Sequence, residues 1–241
     1  MIFKTKVVVR EALKRHGRHI LYIPPIEPTG FDLAHDLGIV VDTPSPLIFD
    51  VGANVGQSLE LFRRPFPQAR TFAFEPDPDC FAELVRNYRS PNIQFFQIAL
   101  SSTEGKEELY RYERSVLNSL LPLDPSPDNC FATVKSAGKA NVVTRKIDSL
   151  VDELGITHLD LLKVDTQGWD YHVLLGAAEA FAEGRIKSVL VELNFDPMYQ
   201  GQASAEAIIS YLSQHGFGLV DFYEKVRRNN RLSWCTALFV K

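Results

Sequence analysis

Residues 46–57 read Pro-Leu-Ile-Phe-Asp-Val-Gly-Ala-Asn-Val-Gly-Gln, and the order of apolar and glycine positions in that stretch decides the fold. The apolar run Leu47, Ile48, Phe49 and Val51 predicts a buried strand. It ends in a glycine-spaced turn, Asp50-x-Gly52-x-Asn54-x-Gly56, that opens a helix near Gln57-Ser58. Glycine takes positive φ at little cost and lets backbone approach a ligand closely, and the first turn of the following helix offers unpaired N–H groups. The rhythm is not that of a dinucleotide fingerprint, because three residues separate Gly52 from Gly56 where G-x-G-x-x-G is needed. An aspartate just ahead of the first glycine also sits poorly beside a pyrophosphate. It suits a cationic ligand that carries hydroxyl and amine groups.

Working outward, the chain alternates helical and strand periods. A short helix is predicted around Asp32–Leu37, then the strand above, a helix over 57–63 and a strand Thr71–Phe74 ending at Glu75-Pro76. A helix over 78–89 follows, with Phe81, Leu84, Val85 and Tyr88 on one face at i, i+3, i+4 and i+7. Strands are predicted over Ile93–Leu100, Leu159–Asp165 and Ile186–Leu193, with helices starting near Gly168–Asp170 and spanning 203–215. Gly218–Tyr223 and Ala237–Val240 have no helix between them and should pair antiparallel. Strands alternating with helices imply a parallel, doubly wound α/β sheet with ligand sites at the carboxyl ends of its strands. The closing antiparallel strands are the mark of the Rossmann-like class I methyltransferase variant, with seven mostly parallel strands.

Residues 101–146 break the alternation. Glu108–Tyr112 and Val142–Lys146 predict short extra strands, and Leu121-Pro122-Leu123-Asp124-Pro125-Ser126-Pro127 continues neither element. Loops of this length in compact domains are usually functional or mobile, so residues 115–131 are expected to form a substrate-facing lid or wall. The organisation is then a basic N-terminal helix with a proline connector over 1–30 and one domain over 31–241, with 101–146 inserted.

Bulk properties narrow the class. The chain has 241 residues, 45% of them hydrophobic, enough for one full α/β core. Its net charge of −4 argues against a general nucleic-acid binder. Residues 1–20 nonetheless carry +5, from Lys4, Lys6, Arg10, Lys14, Arg15 and Arg18 against Glu11, which leaves −9 for the rest. That basic helix packs on the domain, or meets a membrane surface or a partner such as a second copy of the chain. No apolar run reaches the ~18 residues of a transmembrane helix, and Val7-Val8-Val9 is too short for a signal peptide. Three widely spaced cysteines with no C-x-x-C pair (Cys80, Cys130, Cys235) fit a reducing, cytoplasmic setting.

The candidate site residues fall at strand ends. Glu75 ends the second strand, where a carboxylate can accept hydrogen bonds from both ribose hydroxyls in a bidentate, charge-assisted contact. Together with the Asp50–Gly56 loop this describes S-adenosylmethionine. Asp165 ends the fourth strand at the switch point. Lys163 shares its face by period two and needs a carboxylate partner if buried. Glu192 and Asn194 end the fifth strand beside Asp165, forming one acidic mouth. Those three side chains are hard ligands of the kind magnesium uses, although nothing in the spacing demands a metal. Asp170 reads equally as a helix cap, and His172 lies early in the same helix. No Ser-His-Asp or Cys-His spacing indicates nucleophilic catalysis.

These residues fall into an order that resembles the FkbM-type methyltransferases from about His35 to Val240. The landmarks are Ile48–Gln57, Phe74-Glu75-Pro76, Ala99-Leu100-Ser101, Asn118-Ser119-Leu120, Ile147-Asp148-Ser149-Leu150, Leu162–Gly168 and Tyr199-Gln200-Gly201-Gln202. The resemblance implies an S-adenosylmethionine-dependent O-methyltransferase acting on a hydroxyl of a sugar, polyketide or related small molecule or glycan. It implies cofactor binding by Asp50, Gly52, Ala53, Asn54, Gly56, Gln57, Glu75 and Pro76, with Ala99-Leu100 beside the adenine. Two departures stand out: Trp169-Asp170 where the family has Tyr-Glu, and Thr236 where it often has an aspartate. Position at strand ends makes Asp165, Glu192 and His172, in that order, the candidates to take the acceptor proton. The competing readings are a nicotinamide-dependent oxidoreductase, which the missing fingerprint disfavours, and a non-catalytic module that keeps the cofactor fold.

Overall fold

The computed structural model describes residues 27–241. The basic N-terminal helix, and any homo-oligomeric contact made through it, lies outside the described residues. Helix α1 (Leu33–Val40) is capped by Asp32, whose side chain accepts from the His35 N–H. Strand β1 (Leu47–Val51) leads through the glycine turn into α2 (Gln57–Arg63), then β2 (Arg70–Phe74), α3 (Pro78–Asn87) and β3 (Ile93–Phe96). The insertion contributes β4 (Ala99–Leu100), β5 (Gly105–Tyr112), a single 3₁₀ turn (Ser115–Leu117) and β6 (Ser136–Arg145). The chain returns through α4 (Ile147–Glu153), β7 (Leu161–Val164), α5 (Asp170–Leu175), α6 (Ala178–Ala182), β8 (Ser188–Asn194) and α7 (Ala205–Gln214). It closes with β9 (Gly218–Arg228) and β10 (Arg231–Val240).

The main sheet has seven strands in the order β3-β2-β1-β7-β8-β10-β9. The four pairs among β3, β2, β1, β7 and β8 are parallel, and β10 runs antiparallel to both β8 and β9. The expected class I methyltransferase architecture is therefore present. From β1 the chain winds outward to β3, then crosses back to β7, so the strand order reverses between β1 and β7. A crevice opens at the carboxyl ends of strands on either side of such a switch.

Strands buried on both faces read as near-continuous hydrophobic runs. Phe49, Val51, Phe72, Phe74, Leu162, Val164, Val189 and Val191 face α4–α7, and Ile48, Leu161, Leu190 and Leu238 face α1 and α2. Each such side chain contributes about 1.5–3 kcal/mol on burial. On the second face the row Ile48 and Leu161 gives way to Asp50 and Lys163 at the carboxyl ends of β1 and β7.

Two expected elements each divide in two. The predicted strand Ile93–Leu100 is two strands. Phe96 carries the last main-sheet bond, its carbonyl accepting from the Glu75 N–H at 3.1 Å. Ala99 and Leu100 then pair with Thr144 and Arg145 in a separate three-stranded sheet, β4-β6-β5. The apolar run continues because both sheets bury it. The helix predicted from Gly168–Asp170 divides into α5 and α6 at Gly176, where an added Cβ would lie 2.1 Å from the Ser101 carbonyl oxygen.

Candidate functional site

The glycine turn is held by its neighbours. The N–H groups of Gly52 and Ala53 both donate to the Phe74 carbonyl at 3.0 Å. A Cβ on Gly52 (φ +78°) would lie 1.9 Å from the Asp165 carbonyl oxygen, and one on Gly56 (φ +107°) 2.0 Å from the Tyr88 ring. The two glycines thus let the loop lie against β7 and against Tyr88, whose hydroxyl donates to the Gly56 carbonyl at 2.8 Å. Gly56 in this left-handed conformation starts α2. Ala53 packs with Leu59, Ala73 and Leu84 in the core.

Glu75, only 5% exposed, ends β2. Its Oε2 accepts the Asn54 N–H and its Oε1 the Asp77 N–H, both at 2.8 Å. These bonds fix the carboxylate and leave each oxygen a further lone pair. Burial dominates its titration, pushing the pKa up to about 7 against the two backbone donors. Beneath the loop, fully buried Asp50 pairs with Lys163, whose Nζ lies 3.0 Å from Oδ1 and donates to the Gly52 carbonyl at 2.8 Å. The Lys163 approach to Asp50 is off-axis, and neither Asp50 oxygen accepts an aligned hydrogen bond. Burial opposes the Lys163 ammonium, but Asp50 and then Asp165 offset it and raise its pKa.

Asp165, Glu192 and Asn194 do come together. Gln167 Nε2 donates to Asp165 Oδ1 at 2.8 Å and to Glu192 Oε2 at 3.2 Å, and Asn194 Nδ2 reaches the same Glu192 oxygen at 3.3 Å. Burial, then the Asp165 and Asp170 carboxyls, raise the Glu192 pKa well above the ordinary range. Amide donors join this set, an arrangement that suits hydrogen bonds better than a cation. Among the described residues no group of three or more His, Cys, Asp or Glu is placed to hold a metal. Asp170 is spent on the loop before it, accepting from the Thr166 and Gly168 N–H groups at 2.8 and 3.0 Å. It does not cap the helix, whose N-cap position is Trp169 with no side-chain bond to the first turn. His172 stays apart from the two carboxyls: its ring stacks on Trp169 at 3.9 Å and its Nδ1 lies 3.4 Å from Ser102 Oγ.

A cavity of about 270 Å³ fills the crevice, near the ~300 Å³ lower end of small-molecule sites. Of the predicted cofactor residues, Gly52, Asn54, Gln57, Glu75, Pro76, Ala99 and Leu100 line it, together with Lys163 and Asp165. Asp50, Ala53 and Gly56 stand behind that wall. The opposite wall is Ser115, Val116, Asn118, Ser119 and Leu120, within the stretch expected to form a substrate-facing lid or wall but not named as cofactor residues, together with Trp169, whose indole Nε1 is buried without a partner. The landmark Asn118-Ser119-Leu120 was the available signal. That wall is pinned: Asn118 Nδ2 donates to Asp77, the Asn54 amide to the Ser115 carbonyl, and Ser119 Oγ to the Gln167 carbonyl. Further along, the Gln200 N–H donates to the Pro122 carbonyl and Asn129 Nδ2 to that of Met198. Of the two readings of residues 115–131, these bonds describe a wall. A second cavity of about 180 Å³ shares Gln57, Ser58, Lys163 and Asp165 with the first and adds Glu192, Glu224 and Thr236.

Comparison with known proteins agrees with this geometry. The chain is 28% identical over 180 residues to the 2-O-methyltransferase NoeI of Sinorhizobium fredii, covering 72% of this chain and 73% of that protein. It is 27% identical over 168 residues to the hexuronic acid methyltransferase AglP of Haloferax volcanii, covering 68% and 63% respectively. The crystal structure of methyltransferase FkbM from Methylobacillus flagellatus KT superposes with a TM-score of 0.51 at 16% identity, over 82% of this chain and 44% of that one. That structure shares the fold. The methyltransferase FkbM domain model matches residues 50–219, from the buried aspartate of β1 to the start of β9, and the chain belongs to the FkbM methyltransferase family.

Proposed function

We propose that the chain transfers the methyl group of S-adenosylmethionine to a hydroxyl of a sugar, polyketide or related small molecule. The observation that carries the donor is Glu75: a buried carboxylate in the cavity wall, immobilised by two backbone donors, with lone pairs left for two vicinal hydroxyls. The residues present fit this cofactor. Ala99, Leu100 and Ile98 offer an apolar wall for the adenine, and the unpartnered Trp169 N–H offers a donor. Asp50 acts from below, holding Lys163 against the Gly52 carbonyl and so fixing the loop. Three free cysteines support a reducing, cytoplasmic setting.

The cofactor supplies an electrophilic methyl on a sulfonium with its leaving group built in. The chain's own work is alignment and exclusion of water, which can supply about 7–11 kcal/mol of the barrier. The pinned wall Ser115–Leu120 closes the donor cavity. The acceptor enters the second cavity and meets the donor at the shared residues Lys163 and Asp165. There Asp165, with 41% of its side chain exposed, takes the hydroxyl proton, and Glu192 sits beside it on the Gln167 amide. General-base action of this kind contributes about 10²–10⁴-fold.

The names of relatives that methylate at a 2-O position or on a hexuronic acid support oxygen as the acceptor atom. Calorimetry with S-adenosylmethionine and NAD, followed by methyl-transfer assays on a panel of glycosides, tests the reading. Binding of NAD and not of S-adenosylmethionine would overturn the donor. Full turnover in Asp165→Asn and Glu192→Gln, with cofactor binding intact, would overturn the base.

A further inference from the structure

Gln167 bonds to both carboxyls of the mouth and to the insertion wall. It has a left-handed backbone, φ +56°, and the next residue, Gly168, has φ +88°. Its Nε2 donates to Asp165 Oδ1 at 2.8 Å and to Glu192 Oε2 at 3.2 Å, and its Oε1 accepts the Tyr199 hydroxyl at 2.9 Å. Its carbonyl accepts Ser119 Oγ at 2.7 Å, and the Tyr199 hydroxyl also lies 3.2 Å from the Leu117 carbonyl. Two acceptors at one end of an amide demand its NH₂, so Tyr199, lying at the other end, must donate. Tyr199 is 1% exposed and packs against Gly168, where a Cβ would lie 2.9 Å from its ring. The two carboxyls thus set the direction of the hydrogen-bond chain, and the buried Tyr199 hydroxyl anchors its far end.

We infer that Gln167 is a positioning residue: locked by Tyr199, its amide holds Asp165 and Glu192 together as one unit at the acceptor side and ties that unit to the insertion wall. This rests on the reading of Asp165 as the proton acceptor. Its amide hydrogens bridge the two carboxyls, and a hydrogen bond donated to a carboxyl favours that carboxyl's charged form. The other groups facing the pair are Lys163 of β7, Asp50 of β1 behind it, Asp170 of α5, Tyr199 itself and Glu224 across the second cavity. Only Lys163 among them favours ionisation.

The test follows the side-chain carboxyl ¹³C signals of Asp165 and Glu192 through a pH titration of the full chain, assigned with Asp165→Asn and Glu192→Gln. Gln167→Glu replaces the donor with a charge and should move the Asp165 midpoint up by about one unit or more. Tyr199→Phe removes the anchor at the far end of the amide and should move it up by less. An Asp165 midpoint unmoved in Tyr199→Phe and in Gln167→Glu would overturn the assignment. Should Gln167→Glu fail to fold, Tyr199→Phe alone decides. The titration needs no turnover, so absence of methyl transfer would strike the proposed function and leave this result standing.

Discussion

Lys163 Nζ lies 3.0 Å from Asp50 Oδ1 across the β1–β7 pair, in direct register, at the point where the strand order reverses. The pair is buried, with Lys163 reaching the cavity wall, and the same ammonium donates to the Gly52 carbonyl. Removing one partner strands a buried charge, which typically costs 3–5 kcal/mol, whereas replacing both with apolar groups can be near neutral. Urea unfolding of Lys163→Met should therefore show a loss of about 3–5 kcal/mol, and the double variant Asp50→Leu/Lys163→Met should recover most of it. A single variant within about 1 kcal/mol of the parent would show that the pair does not anchor the loop.

Glu75 makes cofactor binding pH-dependent. Its pKa in the folded chain is about 7 against an ordinary 4.5, because burial disfavours the carboxylate. The group's contribution to stability is therefore full below about pH 4.5 and declines as pH rises to about 7. Ligand hydroxyls donate to the ionised form, so affinity should rise as pH goes from 6 to 8, by up to about tenfold per unit below the midpoint. Calorimetry in buffers of different ionisation enthalpy should detect proton release near pH 6.5. Glu75→Gln should abolish the pH dependence and, having lost charge-assisted bonds of about 1.5–3 kcal/mol each, bind weakly throughout. A pH-independent affinity in the parent chain would rule this out.

The half of the cavity made by β1, β2 and β7 is legible in the sequence, because each of its residues sits at a fixed offset from a strand whose hydrophobic run is unmistakable. Gly52, Glu75, Lys163 and Asp165 are of this kind, as is Asp50 behind them. The other half is built by contacts such as Asn54 to Ser115 and Asn118 to Asp77, 61 and 41 residues apart. Those partners lie on irregular backbone, where no periodicity marks which side chain points where. The division of Ile93–Leu100 is hidden for a related reason: Ala99 and Leu100 stay buried and apolar after leaving the main sheet. Gln167 shows a third limit. It lies in the landmark Leu162–Gly168, but its contacts with Tyr199 and Glu192 exist only in three dimensions.

His172 and Asp165 should separate in kinetics. The His172 ring stacks on Trp169, and burial lowers its pKa. In the fold it supports the back of the cavity wall. His172→Ala should keep turnover within about threefold and weaken cofactor binding through Trp169. Asp165→Asn should lower turnover by about 10²–10⁴ with cofactor affinity preserved. Rapid-quench measurement of both variants checks this, and the reverse pattern would make the histidine the base.

The second cavity should select acceptors by charge. Asp165, Glu192 and Glu224 face it, and Lys163, its nearest cation, is already shared with Asp50. Glu224 projects from a left-handed position on β9, φ +49°, and its Oε2 accepts Thr236 Oγ1 at 2.8 Å. A carboxylate on the acceptor would be set against like charge, which costs several kcal/mol at close range, whereas an amine or hydroxyl would not. Methyl transfer to simple glycosides should therefore favour neutral and amino sugars over uronates. Glu224→Lys should move that ratio toward the uronate by about tenfold or more. Glu224 takes no part in holding the donor cavity, so affinity for S-adenosylmethionine should be unchanged in the same variant. Equal transfer to all three glycosides in the parent chain, undisturbed by the substitution, would place the acceptor somewhere other than this cavity.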